Sequence, residues 1–292
     1  MGSQSAIARR VVEIFFPLRS AWKLDGHGYS PTILHRILHM AGVVNSFDVA
    51  AVALSVIGEI KISDRQINKL TTEVGQQLQQ DRDARTAEYV HQDLPRPVTE
   101  VTPGPELAAV FCDGGRMRTR QEDQGPGVHQ PHWREPKNAA FHRMESGEFT
   151  EDPQPNLPEC FRNQAYVEKL VKGLKNLKKD GREEVAAEES SAAKTRESLS
   201  ERPEWQPKPV FRTCLSSLAS SEEFGPMMAA EADRRGFFAA KKKAFLGDGL
   251  AYNWSIQQRW FPSFEPIADF LHPLEYLYSS AKAVYTTSAE HW

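Results

Sequence analysis

The chain has 292 residues, room for one large domain or two ordinary ones, and its 40% apolar and 26% charged residues with a formal net charge of −3 exclude a fibre or a disordered tail. Cys112, Cys160 and Cys214 are odd in number and form no CxxC pair, which excludes a disulfide framework, argues against zinc and points to a reducing compartment. The densest apolar run, Val49 to Ile57, is about half of the roughly 20 residues a membrane span needs, and Ala6 stands where a myristoylation signal wants Ser or Thr, so a cytoplasmic protein with no membrane partner is expected.

Taken in order, the first elements are helices. Ser30-Pro31 caps and opens one, whose stripe is Ile33, Leu34, Ile37, Leu38 and Ala41 before the Gly42 stop. Its His35 and His39 share zinc-like spacing, but no Glu follows His35, and they read as a solvated face. A second helix covers about Phe47–Ile57. After the Gly58-Glu59 turn, Ser63 caps a third, with Gln66 completing a capping box. Ile67, Leu70, Val74 and Leu78 are expected inside this helix, leaving Arg65, Gln66, Asn68, Lys69 and Thr72 on a surface suited to reading DNA. Residues 1–94 are thus expected to be an all-α, helix-turn-helix-like region whose surface could bind DNA. The Pro-rich stretch 95–105 is a linker.

A second domain, 106–292, opens on the apolar run Leu107 to Cys112, a strand that ends at Asp113-Gly114-Gly115. Arg116 to Arg120 is expected as its antiparallel partner, with Lys137 to Met144 a third strand beyond the Gly125-Pro126-Gly127 loop. A helix over 164–179 puts Val167, Leu170, Val171, Leu174 and Leu177 on one face, with Lys169, Lys172 and Lys175 on a solvated face. Residues 180–205 are acidic and poor in aromatics, too polar to offset their ordering entropy, and read as a mobile charged insertion. One strand and a helix or two follow in 210–240. Lys241-Lys242-Lys243 then leads into a second apolar run ending in an acid, Ala244 to Asp248-Gly249. A helix through Trp254, a short strand at Pro266–Asp269 and a helix from His272 complete a mixed α/β sheet.

Two apolar strands that each stop at Asp-Gly carry the chemical signal. If they are neighbours in one sheet, Asp113 and Asp248 come together, and two carboxylates about 4 Å apart would repel by roughly 4 kcal/mol at an effective dielectric of 20. Hard oxygen ligands of this kind suit Mg²⁺ or Mn²⁺, and a two-ion site serves phosphodiester chemistry. The plain alternative is that each Asp-Gly is only a turn. Gly-rich phosphate loops, a Ser-His-Asp order and an activated Cys context are missing from the sequence, which argues against ATP use, hydrolase triads and thiol chemistry.

Asp113-Gly114, the Trp133-Arg134-Glu135-Pro136-Lys137 segment, Gly247-Asp248-Gly249-Leu250-Ala251-Tyr252-Asn253-Trp254 and Asp269-Phe270-Leu271-His272-Pro273-Leu274-Glu275-Tyr276-Leu277 stand in an order that resembles bacterial insertion-sequence transposases of the Kra group. These are Mutator-related DDE recombinases. Ser63 to Leu70 resembles their amino-terminal DNA-binding segment, and the matches together span about residues 28–285. The resemblance implies a ribonuclease-H-like catalytic domain in which three acids hold two Mg²⁺ or Mn²⁺ ions. Asp113 matches the first acid and Asp248 the second; Asp269 and His272 match a D-x-x-H element beside the active site. It also favours DNA contact by Trp133, Arg134 and Lys137, with DNA ends and target as partners and a homo-oligomer as the active complex in the nucleoid.

One departure stands out. The family's third acid lies well downstream of D-x-x-H, whereas this chain stops at Trp292, twenty residues after His272, with Glu275 and Glu290 the only later carboxylates and neither a good replacement. The expectation is a DDE-type transposase or an amino-terminal fragment of one. The alternatives are a catalytically inactive DNA-binding remnant and a metal-dependent nuclease with another target.

Overall fold

The computed structural model describes residues 28–119, 125, 132–178 and 206–285. The myristoylation-like start, the Pro126-Gly127 loop, the charged insertion and Glu290 lie outside the described residues. The chain forms two compact units, one ending at Ala84 and one beginning at Arg85, so the division falls inside a helix and not in the Pro-rich stretch. Among the described residues no helix is long and apolar enough to cross a membrane.

The first unit is helical: α1 (Pro31–Val43), α2 (Phe47–Gly58) and the start of α3 (Asp64–His91). Each start carries a hydroxyl cap that satisfies an otherwise orphaned N–H. Ile33 N donates to Ser30 Oγ at 3.4 Å, Val49 N to Ser46 Oγ at 3.2 Å and Gln66 N to Ser63 Oγ at 3.2 Å. Glu59, at φ 54°, ends α2 in the left-handed region. Ile37, Ala50, Leu54, Ile67 and Leu70 form the core. Leu78, expected inside, is 61% exposed, because α3 runs on past that core after Val74.

The second unit is a mixed α/β structure around a five-stranded sheet in the order β5-β4-β1-β6-β7, comprising β1 (Leu107–Gly114), β4 (Lys137–Glu145), β5 (Lys208–Ser217), β6 (Lys242–Gly247) and β7 (Glu265–Ala268). β4 is antiparallel to both β1 and β5, while β1, β6 and β7 run parallel. Alternate residues feed one face: Ala108, Val110 and Cys112 from β1, Ala139 and Phe141 from β4, Phe245 from β6. They pack on α5 (Ser221–Arg234), through Phe224, Met228, Ala229 and Ala232, and on Ile256 of α6 (Ala251–Trp260). A capping box between Ser220 and Glu223 starts α5. Gly225 lets α5 approach Trp260, whose ring atoms lie 2.7 Å from where a Cβ would stand.

The segment joining α3 to β1 is strapped onto this unit. Arg96 donates to the Tyr89 carbonyl at 2.8 Å and stacks over the Tyr89 and Trp260 rings, and Thr99 donates to Asp233 at 2.8 Å through its hydroxyl. A separate small cluster joins α4 (Gln164–Lys178) to α7 (Leu271–Val284) through Val167, Val171 and Tyr278. There the Tyr278 hydroxyl donates to Glu168 at 2.8 Å.

One strand pairing differs from expectation. Residues 117–119 (β2, Met117–Thr119) pair with β3 (His132–Arg134) in a two-stranded ribbon, and β1 takes Lys137–Glu145 as its antiparallel neighbour. The cause is local: Gly115 N donates to the Pro136 carbonyl at 2.8 Å, and a Cβ on Gly115 would meet Asn138 Nδ2 at 2.8 Å. The chain therefore leaves the sheet at Gly115 and rejoins it beyond Pro136.

Candidate active site

Parallel pairing fixes the geometry. Cys112 opposes Gly247, and Gly247 opposes Ala268, so Asp113, Asp248 and Asp269 each stand one position beyond an aligned row across three adjacent strands. The third is tied in by its backbone, Asp269 N donating to the Gly247 carbonyl at 2.8 Å. Asp113 is exposed, while Asp248 and Asp269 are half-buried.

Local turns orient the carboxylates. Asp248 Oδ1 accepts from Leu250 N at 3.1 Å and from Asn253 Nδ2 at 2.7 Å, the latter from the first turn of α6. Asp269 Oδ1 accepts from Leu271 N at 3.1 Å, and its Oδ2 meets His272 Nδ1 at 2.6 Å, so the D-x-x-H spacing is an Asx-type turn just before a helix, with the His folded back on the acid.

The electrostatics follow from this crowding. Loss of water and then the Asp248 charge raise the pKa of Asp113, with Asp269 adding in the same direction; His272 and a hydrogen bond from the Gly114 N–H oppose them. Burial, with Asp113 and Asp248 beside it, pushes the Cys112 thiol up to about 12, so it is a packing group and not a nucleophile. Burial also raises Tyr252, assisted by the charges of Cys112, Glu135, Asp248 and Asp113.

The Trp133–Lys137 segment reaches the same end of the sheet. Lys137 opposes Gly114 in the β1–β4 register, and its Nζ sits 5.5 Å from the Tyr252 ring centroid. Arg116 lies 4.6 Å over the half-buried Trp133 ring, and Arg134 is exposed. In the helical unit Arg65, Asn68 and Lys69 are exposed and Gln66 half-buried; Lys69 pairs with Glu73 at 3.7 Å. His35 and His39 are exposed and stacked, with ring centroids 6.1 Å apart. Glu275 is buried in α7.

Three residues at the strand ends were not singled out from sequence. Asn253 is fully buried, and the signal for it was spacing: Asn253, Ile256 and Gln257 are the inward i, i+3, i+4 set of α6, with a polar member where an apolar one is expected. Tyr252 Oη and Glu135 Oε1 both crowd Gly114, at 3.1 and 2.5 Å from where its Cβ would be. The missing side chain at Gly114 leaves room for both, which no periodicity reveals.

Among the described residues no group of three His, Cys, Asp or Glu side chains is arranged to hold a metal ion. The donor chemistry of the Asp113–Asp248 pair nevertheless fits a hard divalent cation completed by water, since both ligands are oxygens and their mutual repulsion calls for positive charge. No protein-family model matches the chain, and no curated protein matches it.

Proposed function

We propose that this chain is a DDE-type transposase, or an amino-terminal portion of one, that binds DNA ends and belongs to a metal-dependent strand-cleavage and strand-transfer family. The observation that carries the reading is the placing of Asp113 and Asp248 one position past an aligned pair on adjacent parallel strands, with Asp269 and His272 on the next. The sheet order supports it too. Numbered along the chain, the five strands lie 3-2-1-4-5 with the second antiparallel, a mixed sheet of the general kind the resemblance implies.

Asp113 and Asp248 would hold Mg²⁺ or Mn²⁺, which when bound neutralises charge on a phosphodiester and lowers the pKa of water. Lys137 adds a positive charge at the same strand ends. Trp133 and Arg134 offer an aromatic face and a phosphate-pairing cation. In the helical unit Arg65, Gln66, Asn68 and Lys69 form a helix face suited to DNA.

Nicking of supercoiled DNA in Mn²⁺, lost in Asp113→Asn and Asp248→Asn, is the expected result. Equal nicking by both variants would remove the site. DNA binding without nicking in the unaltered protein would favour an inactive end-binding remnant.

A further inference from the structure

Asp248 is the middle member of the aspartate row, and one neighbour governs how its carboxylate is presented. Asn253 is 0% exposed, and its Nδ2 donates to Asp248 Oδ1 at 2.7 Å. Leu250 N donates to the same oxygen, so both hydrogen bonds fall on Oδ1. The approach depends on Gly247: a Cβ there would stand 3.1 Å from Asn253 Cβ and 3.3 Å from its Nδ2. The helix start fixes the amide in turn, with Asn253 N donating to the Leu250 carbonyl at 3.0 Å. Meanwhile Asn253 Oδ1 is buried and finds no partner among the described residues, a cost tolerated at this position for an amide that satisfies only its donor.

We propose that Asn253 is a positioning residue for the cation site, anchoring Asp248 through Oδ1 so that its other oxygen is presented to a divalent ion. The inference rests on the reading of Asp248 as a cation ligand. The chemistry explains the choice of side chain. A neutral amide N–H can be buried beside a carboxylate at little electrostatic cost and binds its ionised form. Truncation to an apolar group would let the carboxylate rotate and spread its two oxygens over several orientations. Partners of this kind typically contribute 10–100-fold to metal affinity.

The test is Mn²⁺ binding to the full chain, read by electron paramagnetic resonance, for the unaltered protein, Asn253→Leu, Asp248→Asn and the double variant. Thermal unfolding is followed alongside, and Asn253→Ala serves if the leucine does not fold. The expected result is a roughly 10–100-fold weaker Mn²⁺ affinity in the Asn253 variant, with no further loss when it is added to Asp248→Asn. Unchanged Mn²⁺ affinity in folded Asn253 variants, while Asp248→Asn loses binding, overturns the role of Asn253 alone. Additive losses in the double variant also overturn it. Equal binding by Asp248→Asn and the unaltered protein, or no binding by either, overturns the cation site itself and the inference with it.

Discussion

Asp113 and Asp248 each stand one position past a pair of directly opposed residues, Cys112 and Gly247, on adjacent parallel strands. Loss of water around its carboxyl, and then the Asp248 charge, raise the pKa of Asp113. A carboxyl whose folded pKa exceeds its unfolded value favours the folded state most below the unfolded value, and that contribution is lost as pH rises through the raised one. Asp113→Asn removes the slope. Without divalent ions, the variant should gain on the unaltered protein in urea midpoint as pH climbs from about 4, the ordinary Asp value. Mn²⁺ should then narrow the gap by stabilising the unaltered protein. A gap that does not change with pH would show that neither loss of water nor the Asp248 charge raises the Asp113 pKa.

Thiol chemistry reports on the same strand. Cys160 and Cys214 are exposed, whereas Cys112 is buried with its thiol pushed up to about 12. A maleimide at neutral pH should label the first two readily and Cys112 only after unfolding, as peptide mapping by mass spectrometry will show. Fast labelling of Cys112 in the folded protein would contradict the packing of β1.

Helix packing against the sheet hinges on Gly225. A methyl group there meets the Trp260 ring at 2.7 Å, closer than any real contact. Gly225→Ala should lower stability by about 1–3 kcal/mol in urea unfolding, even though alanine is the better helix former. A neutral result would mean that α5 and α6 shift apart freely.

Lys69 allows the proposed DNA surface to be tested separately from folding. Its pair with Glu73 is exposed on both sides, and such pairs contribute about 0–1 kcal/mol. Lys69→Ala with Arg65→Ala should leave the thermal midpoint nearly unchanged but weaken DNA binding. Its salt dependence should flatten by about 0.9 in log–log slope for each phosphate the variant no longer neutralises. Identical binding at all salt concentrations would discard the helical DNA surface.

The periodic parts of this fold were open to reading from sequence. Hydroxyl caps at Ser30 and Ser63 and the 3.6-residue stripes located α1 and the start of α3, and apolar runs ending in Asp-Gly located β1 and β6 as the carriers of Asp113 and Asp248. Pairing was harder, because a three-residue strand such as β2 has no period to betray its partner; the Gly115–Pro136 hydrogen bond decides it. The supports of the site were hidden for a related reason. Asn253, in the first turn of α6, meets Asp248 at the end of β6 beside the missing side chain of Gly247, a close approach that composition does not encode.

The strap formed by Arg96 on Tyr89 and Thr99 on Asp233 also bears on modularity. Residues 85–105 belong energetically with the sheet, despite a composition that looks like a flexible tether. Asp233 is only 9% exposed, and removing Thr99 would leave its carboxylate short of a donor, at a cost of roughly 1–3 kcal/mol. Any recombination that grafts this sheet onto a different helical unit must therefore exchange chains upstream of Arg85, within the long helix, and not at the prolines.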